Sequence, residues 1–368
     1  MLNIKKQISR LYLSSVLGNL SLTGAWVAIL AARGYSLVEI GLAETVFHIT
    51  SLLFEIPSGV LADVFGRKKM LLVSSIMRMI GNIIMIFSCN LFMVCASIAS
   101  YAVSYNFSSG TGDALAYDSL KLAAAEDYYK KYASNQLIIY RLCNGISTLC
   151  AGFALFIRHK AAYSTDILMG IIQIRILLSL SEVYTYHPDT NHEKNMFNLI
   201  TKELVTCFLT SLSFLKNAKK AVFFMFCNSL VGTVDILLLF FLQAKLPEAG
   251  IPRAALGFAL FFMEMGGILG AKIILKCEKL RYRTIFAISA LLVLFGVVLE
   301  HSGMYIVMAI GGFIAALSDD ALQVRTNTLL QNMFPSEQRA TLISVESFTF
   351  SMIMIVLSPL AGFMFSHW

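Results

Sequence analysis

Apolar runs long enough to cross a bilayer recur along this whole chain, and that recurrence limits the possible folds more than any other feature. A spanning helix needs about 20 mostly apolar residues. Such runs lie at 11–32, 38–62, 70–89, 91–117, 133–157, 161–184, 220–243, 254–275, 284–300, 303–330 and 339–366. Backbone polar groups inside a bilayer must be satisfied within the segment, so these runs are predicted to be helices. The two-residue alternation of barrel strands is absent. A mean hydropathy of +0.73 with 14% charged residues fits repeated spans rather than one anchor. The expected class is an all-α polytopic membrane protein with eleven spans. The basic start, MLNIKKQISR, precedes a span-length run without a small-residue cleavage site, so the first span is expected to act as its own insertion signal. Seven Cys lie scattered with no C-x-x-C spacing and read as small buried hydrophobes.

Lys and Arg fall on alternate loops. One side carries Lys5, Lys6, Arg10, Arg67, Lys68, Lys69, Lys121, Lys130 and Lys131, the lysines between 194 and 220, and the cations from Lys272 to Arg283 with Arg339. The other side has Arg33, Arg158, Lys160, Lys245 and Arg253. Cations favour the cytoplasmic side, which puts the N-terminus and the Arg67 loop in the cytoplasm of a cell-membrane protein. The net charge of +7 is therefore a topology signal. The cations are dispersed and form no compact basic domain, which argues against nucleic acid as a partner.

Six runs precede a polar stretch and five follow it. The expected organisation is an amino-terminal bundle over 1–185, a cytoplasmic central loop over 186–219 and a carboxy-terminal bundle over 220–368. Leu199 to Leu215 is amphipathic enough to lie on the membrane surface. The halves echo one another: GDALAYDSL (Gly112–Leu120) ends the fourth run and DDALQVRTNTL (Asp319–Leu329) ends the tenth. Two parallel halves related by an axis along the membrane normal are a common transporter plan.

Between runs two and three, Gly59, Leu61, Asp63, Gly66, Arg67 and Lys68 form G-x-L-x-D-x-x-G-R-K. Gly59 permits close helix approach. Gly66 suits the positive φ of a tight turn. Asp63 at a membrane boundary seeks a cation or a helix N-terminus. Arg67 offers a planar fork to a carboxylate. The plainer reading is that Arg67, Lys68 and Lys69 only set topology. The pattern, its loop and its side resemble the signature of the major facilitator superfamily, with Val64 where that family usually has a cation. The resemblance implies the major facilitator fold, two pseudo-symmetric bundles of six and five helices. It also implies a gating latch, in which Asp63 caps a helix of the other half and Arg67 pairs with an acid at the end of span four. Asp118 is the first candidate for that acid and Asp113 the second.

Ionisable groups inside spans are expensive and default to functional hypotheses. In span two, Glu44, His48, Ser51 and Glu55 share one helical face. They can carry protons, or simply pack and pair across the bundle; Glu55, two residues before Pro57, also reads as a gate residue. Span seven has Asn228 and Asp235, span eight Glu264, span eleven Glu346. The resemblance implies that spans one, four, seven and ten line the cavity, which makes Asp235 the leading candidate for handling substrate or protons, with Glu264 next. The cations inside are Arg78, Arg141, Arg175 and Arg325. Arg141 roughly shares a face with Tyr140 and Asn144, and an acid from span two or eight is its expected partner. Tyr105, Asn106 and Tyr117 of span four are candidates to face a cavity. Two family features common in drug exporters, an Arg within span four and a Gly-Pro in span five, are absent.

No phosphate-binding G-x-x-x-x-G-K-S/T loop, metal-ligand cluster or G-x-S-x-G elbow occurs, so no enzyme activity, metal or cofactor is expected. The expected function is secondary active transport of a small solute by alternating access, as a monomer, with proton-coupled efflux of drug-like compounds as the leading substrate class. The eleventh run ends the sequence, whereas family members usually have twelve spans. A truncated member is expected, and a non-transporting remnant or membrane interaction protein is the alternative.

Overall fold

The computed structural model describes residues 3–183, 218–277, 279–333 and 339–367, with residues 205, 206, 209, 213 and 216 between them. Most of the proposed surface segment Leu199–Leu215 therefore lies outside the described residues. No strand occurs among those described, and nine helices are long and apolar enough to cross a membrane.

Seven of the apolar runs form continuous helices. These are α3 (Leu37–Phe65), α4 (Arg67–Phe87), α9 (Lys219–Glu248), α10 (Arg253–Ile274), α11 (Tyr282–Glu300), α12 (Tyr305–Met333) and α13 (Arg339–His367). The expectation of one unbroken helix per run fails at three others. Run one divides into α1 (Ile4–Asn19) and α2 (Trp26–Ala32). The turn between them is held by the Asp166 carboxylate, which accepts from Ser21 Oγ at 2.6 Å, from Leu22 N at 3.1 Å and from Thr23 Oγ1. Run four divides into α5 (Leu91–Ser108) and α6 (Thr111–Leu122), because Gly110 takes a left-handed conformation at φ 69°. Run five begins as α7 (Tyr129–Leu149) and continues in the first residues of α8 (Ala151–Leu178). At Arg158 the backbone leaves helical geometry, φ 68° and ψ 157°, and the rest of α8 is run six.

The chain gathers into two compact units. One comprises Met1–Gly24, Ile49–Ser147 and Arg158–Leu209; the other comprises Ala25–His48, Thr148–Ile157 and Thr210–Trp368. In the first unit, Ile8, Leu11, Leu115, Leu120, Tyr132 and Leu177 form an apolar cluster against which Tyr12 stacks on Tyr132 at 5.1 Å. A polar network lies beside this core. Arg78, one of the intramembrane cations, donates to Gly18 O and to Gln173 Oε1 at 2.6 Å. Gln173 Nε2 in turn donates to Ser14 O at 3.0 Å.

The second unit is built on glycine. Helix α12 packs on α9, α10 and α11. A Cβ on Gly266 or Gly270 of α10 would strike the backbone of Phe313 or Leu317 of α12. The same device brings in segments from the early part of the chain. Gly41 of α3 abuts the Ser358 carbonyl of α13, and Gly362 of α13 abuts the Leu37 carbonyl of α3. Gly257 of α10 abuts Leu149, and Gly152 of α8 abuts Arg253. Trp26 of α2 meets Phe240 of α9 edge to face at 5.7 Å. Backbones this close gain dispersion contacts that larger side chains would prevent.

Candidate functional site

At the end of α3 the chain reverses through Gly66, whose φ of 102° is open to glycine and strained for other residues. Helix α4 starts immediately after it. The carboxylate of Glu182, four residues beyond the end of α8, sits on that helix start and accepts from Lys68 N at 3.0 Å and Lys69 N at 3.3 Å. An anion at a helix N-terminus meets both free N–H groups and the positive end of the dipole. A Cβ on Gly66 would lie 2.6 Å from Glu182 Oε2, so this glycine supplies room as well as backbone freedom. Arg67 Nη1 donates to Asp118 Oδ2, both largely buried. Asp113, the second candidate for that pairing, is exposed, one turn and a half away along α6. The Asp63 side chain lies outside the described residues. Among the described residues no atom lies within 4 Å of a Cβ built on Gly59.

In the second unit the stripe on α3 resolves into bonds. Glu44 and His48 are buried, with Oε1 to Nε2 at 3.2 Å. The other ring nitrogen, Nδ1, lies 3.2 Å from Ser351 Oγ of α13. The imidazole meets Phe47 and Phe350 edge to face at 5.4 and 5.5 Å. Asp235 of α9 is 4% exposed, and its Oδ1 has no hydrogen-bond partner among the described residues. It lies within electrostatic range of Asp319 and Asp320, consecutive acids on α12. Asp319 faces Gly232, one turn before Asp235 on α9, and Asp320 faces Gly267 of α10. Asn228, two turns before Asp235 on the same face, donates to Glu346 Oε1 at 3.2 Å. Glu264 Oε1 accepts from Thr148 Oγ1 at 2.8 Å.

The first unit holds the rest of the stripe. Ser51 Oγ accepts from Asn106 Nδ2 of α5 at 3.1 Å. Glu55 and Tyr140 lie within electrostatic range of Tyr105. Tyr105, Tyr140, Arg141 and Asn144 are exposed. Arg141 was expected to meet an acid from span two or eight; among the described residues no ion pair places one there. Tyr140, Arg141 and Asn144 lie together on α7, and Tyr140 is the one within electrostatic range of Tyr105 of α5. No group of His, Cys, Asp and Glu suited to a metal ion occurs among the described residues.

A family model for the Major Facilitator Superfamily matches residues 11–359. The chain belongs to the major facilitator superfamily. It is accordingly a multi-pass membrane protein of secondary transport, not an enzyme, in a family that binds small-molecule substrates and usually works as monomers. It is 22% identical over 331 residues to the Uncharacterized MFS-type transporter YxaM of Bacillus subtilis (strain 168), covering 88% of this chain and 79% of that protein. Among solved structures it is similar to the nucleoside transporter NupG, with a TM-score of 0.71 and 14% identity, over 98% of this chain and 90% of the other. It is likewise similar to the xylose transporter XylE from E. coli in its inward open conformation, with a TM-score of 0.67 and 12% identity, over 98% and 90%. A peptide transporter POT in complex with alafosfalin gives a TM-score of 0.72 at 14% identity, over 97% and 88%. These likenesses establish the fold.

Several site residues escape a reading of the sequence. Asp319 and Asp320 were noticed as an echo of the fourth run but not as intramembrane acids, although their position inside an apolar run was the signal. Asp166 carried the same signal within run six. Glu182, near the end of the same run, carried it too, although the amides it meets are distant in sequence; Ser351 had none, because its role arises from a contact with a residue distant in sequence.

Proposed function

We propose that this chain moves a small organic solute across the cytoplasmic membrane by alternating access, with protons as the driving ion and export of drug-like compounds as the first substrate class. The moving bodies are the halves 1–185 and 220–368, and the Arg67 loop lies on the cytoplasmic side, as the alternation of Lys and Arg along the loops favours. Arg67 with Asp118 serves as the cytoplasmic latch.

The observation that carries the proton reading is Asp235. Its carboxyl Oδ1 lacks a hydrogen-bond partner among the described residues, is buried in a helix of the bilayer, and shares its surroundings with two further acids. An acid so placed is costly in a membrane unless it handles ions or protons. Glu264, which accepts from Thr148, and Glu346, which accepts from Asn228, are further acids within spans of the same unit. A polar solute is the second substrate reading, favoured by the exposed Tyr140, Arg141 and Asn144 of α7 with Tyr105 of α5 in electrostatic range of Tyr140. Nucleosides, sugars and peptides, the classes named for the solved neighbours, are its candidates.

The test is reconstitution into vesicles under an imposed pH gradient, with a panel of drug-like amphiphiles, nucleosides, sugars and short peptides. Substrate-dependent proton flux is expected, with Asp235→Asn reducing it at least about tenfold and Glu264→Gln reducing it less, on the scale of losing a positioned proton-transfer group. Flux unchanged in both variants removes the proton assignment.

A further inference from the structure

We propose that Arg141 of α7 binds the carboxylate of the transported solute, and that the solute is an organic monocarboxylate. This assignment rests on the transport reading above and names the chemistry of what the polar side of α7 takes.

The exposed residues of α7 separate into two faces. Ile138, Leu142, Ile146 and Leu149 make an apolar stripe at helical spacing, suited to lipid. Tyr140, Arg141 and Asn144 lie on another side, with Asn144 one turn after the other two. The remaining side is buried: Tyr132 joins the apolar cluster of Ile8 and Leu11, and Cys143 Sγ lies 3.9 Å from Val16 O of α1. A charged residue at membrane depth faces the bundle interior or a water-filled cavity, and Arg141 keeps off the apolar stripe accordingly.

Arg141 differs from other arginines of the chain in having no partner. Arg67 donates to Asp118, Arg78 to Gly18 O and Gln173, and Arg325 to Leu280 O. Among the described residues Arg141 makes no hydrogen bond or ion pair. Glu55 of α3 and Tyr140 both lie within electrostatic range of Tyr105, yet no ion pair joins Glu55 to Arg141 among those residues. A guanidinium carries a planar fork of donors and no acceptor, so an oxyanion completes it. The Asn144 amide, one turn on, can donate to the same anion.

The local charge selects the class of anion. Helix α5 has no Lys or Arg, and the other cations of α7, Lys130 and Lys131, precede Arg141 by about 15 Å or more along the helix. One guanidinium balances one negative charge. A second negative charge would meet no second cation here and would have Glu55 on the side of Tyr105. A carboxylate fits: it is a monoanion, planar, and accepts two parallel N–H bonds from the fork. The exposed rings of Tyr140 and Tyr105 offer apolar area to the body of the solute.

The test uses the full-length protein with acetate, benzoate and naphthoate, and with benzamide, benzylamine and phenyl phosphate as ring-matched probes. Benzoate or naphthoate is expected to raise the melting temperature saturably, because only the folded protein binds it. Benzamide, benzylamine and phenyl phosphate are expected to bind at least about tenfold more weakly, as is benzoate to Arg141→Gln. Arg141→Lys is expected to recover part of that loss, since it keeps the charge without the fork. Arg175→Gln is expected to leave binding unchanged. Binding of no monocarboxylate, carboxylate binding unaltered in Arg141→Gln, or equal or tighter binding of the amide, the amine or the phosphate ester overturns the proposal. Should Arg141→Gln lower the melting temperature of the free protein, Arg141→Lys decides: partial recovery supports the site, and binding no better than to the glutamine variant overturns it. The transport reading fails separately. Carboxylate binding that depends on Arg141, without proton flux in vesicles for any monocarboxylate, supports the site and removes proton-driven transport. Proton flux with amines or neutral compounds that Arg141→Gln leaves unchanged overturns the site and leaves transport.

Discussion

At the scale of single residues, the Arg67 loop shows how a short motif joins three helices. Arg67 holds Asp118 at the end of α6, and Glu182, just beyond the end of α8, caps α4 at two backbone N–H groups. Charge-assisted bonds between largely buried partners contribute about 2 kcal/mol each. Arg67→Ala and Asp118→Ala are therefore expected to slow transport by similar factors, and the double variant to be little worse than either. A double-mutant cycle on transport rate and on thermal stability measures that coupling; additive effects would mean that the pair does not act as one unit. Gly66→Ala combines a left-handed backbone with a clash against Glu182, and a loss of about 2 kcal/mol in stability is expected. Arg67 and Asp118 were legible in the sequence because both lie beside span ends on the same side. The role of Glu182 was not, because the amide it caps lies 114 positions away.

At the scale of elements, hydropathy located the apolar runs and missed how three of them are built. Apolar content reports that a segment sits in lipid, but a break depends on one backbone angle or one distant side chain. Gly110 lies in an apolar run without any local sign of a break, while its φ of 69° is a tertiary choice. The turn after Asn19 exists because Asp166 on α8 satisfies its hydroxyls and amide. Asp166→Ala leaves those groups without their acceptor and is expected to lower thermal stability by several degrees. The glycine crossings separate into two classes with different expected outcomes. Gly270→Val wedges α10 from α12 inside one sequence half and is expected to reduce yield and melting temperature. Gly257→Val acts where α10 meets Leu149 from the other sequence half. It is expected to raise the iodide accessibility of Trp26 in the Trp368→Phe background, with a smaller change in melting temperature. If both variants lower the melting temperature equally and leave Trp26 unaltered, the distinction between framework and gate crossings is lost.

At the scale of the whole molecule, the family and the all-helical architecture were readable from span order, the internal echo and one loop motif. The division into compact units was not, since it assigns Ala25–His48 and Thr148–Ile157 to the unit that also contains α9 to α13. Sequence distance cannot indicate that, because the contacts are made by glycines meeting carbonyl groups, with no periodic apolar face to announce them. The distribution of Lys and Arg remains the guide to orientation. An epitope tag placed before Lys5 is expected to resist external protease in intact cells, and one inserted between Glu248 and Arg253 to be accessible; the reverse pattern would invert the proposed orientation. The crossing of α3 with α13 carries a kinetic consequence as well. Where Gly41 meets the Ser358 carbonyl and Gly362 meets the Leu37 carbonyl, bare backbones touch and can slide apart without a rotamer change. The side chains to be withdrawn gather at the other part of the seam, where the His48 ring meets Ser351 and Phe350, so release of that ring sets the pace within the microsecond-to-millisecond range of collective helix motion.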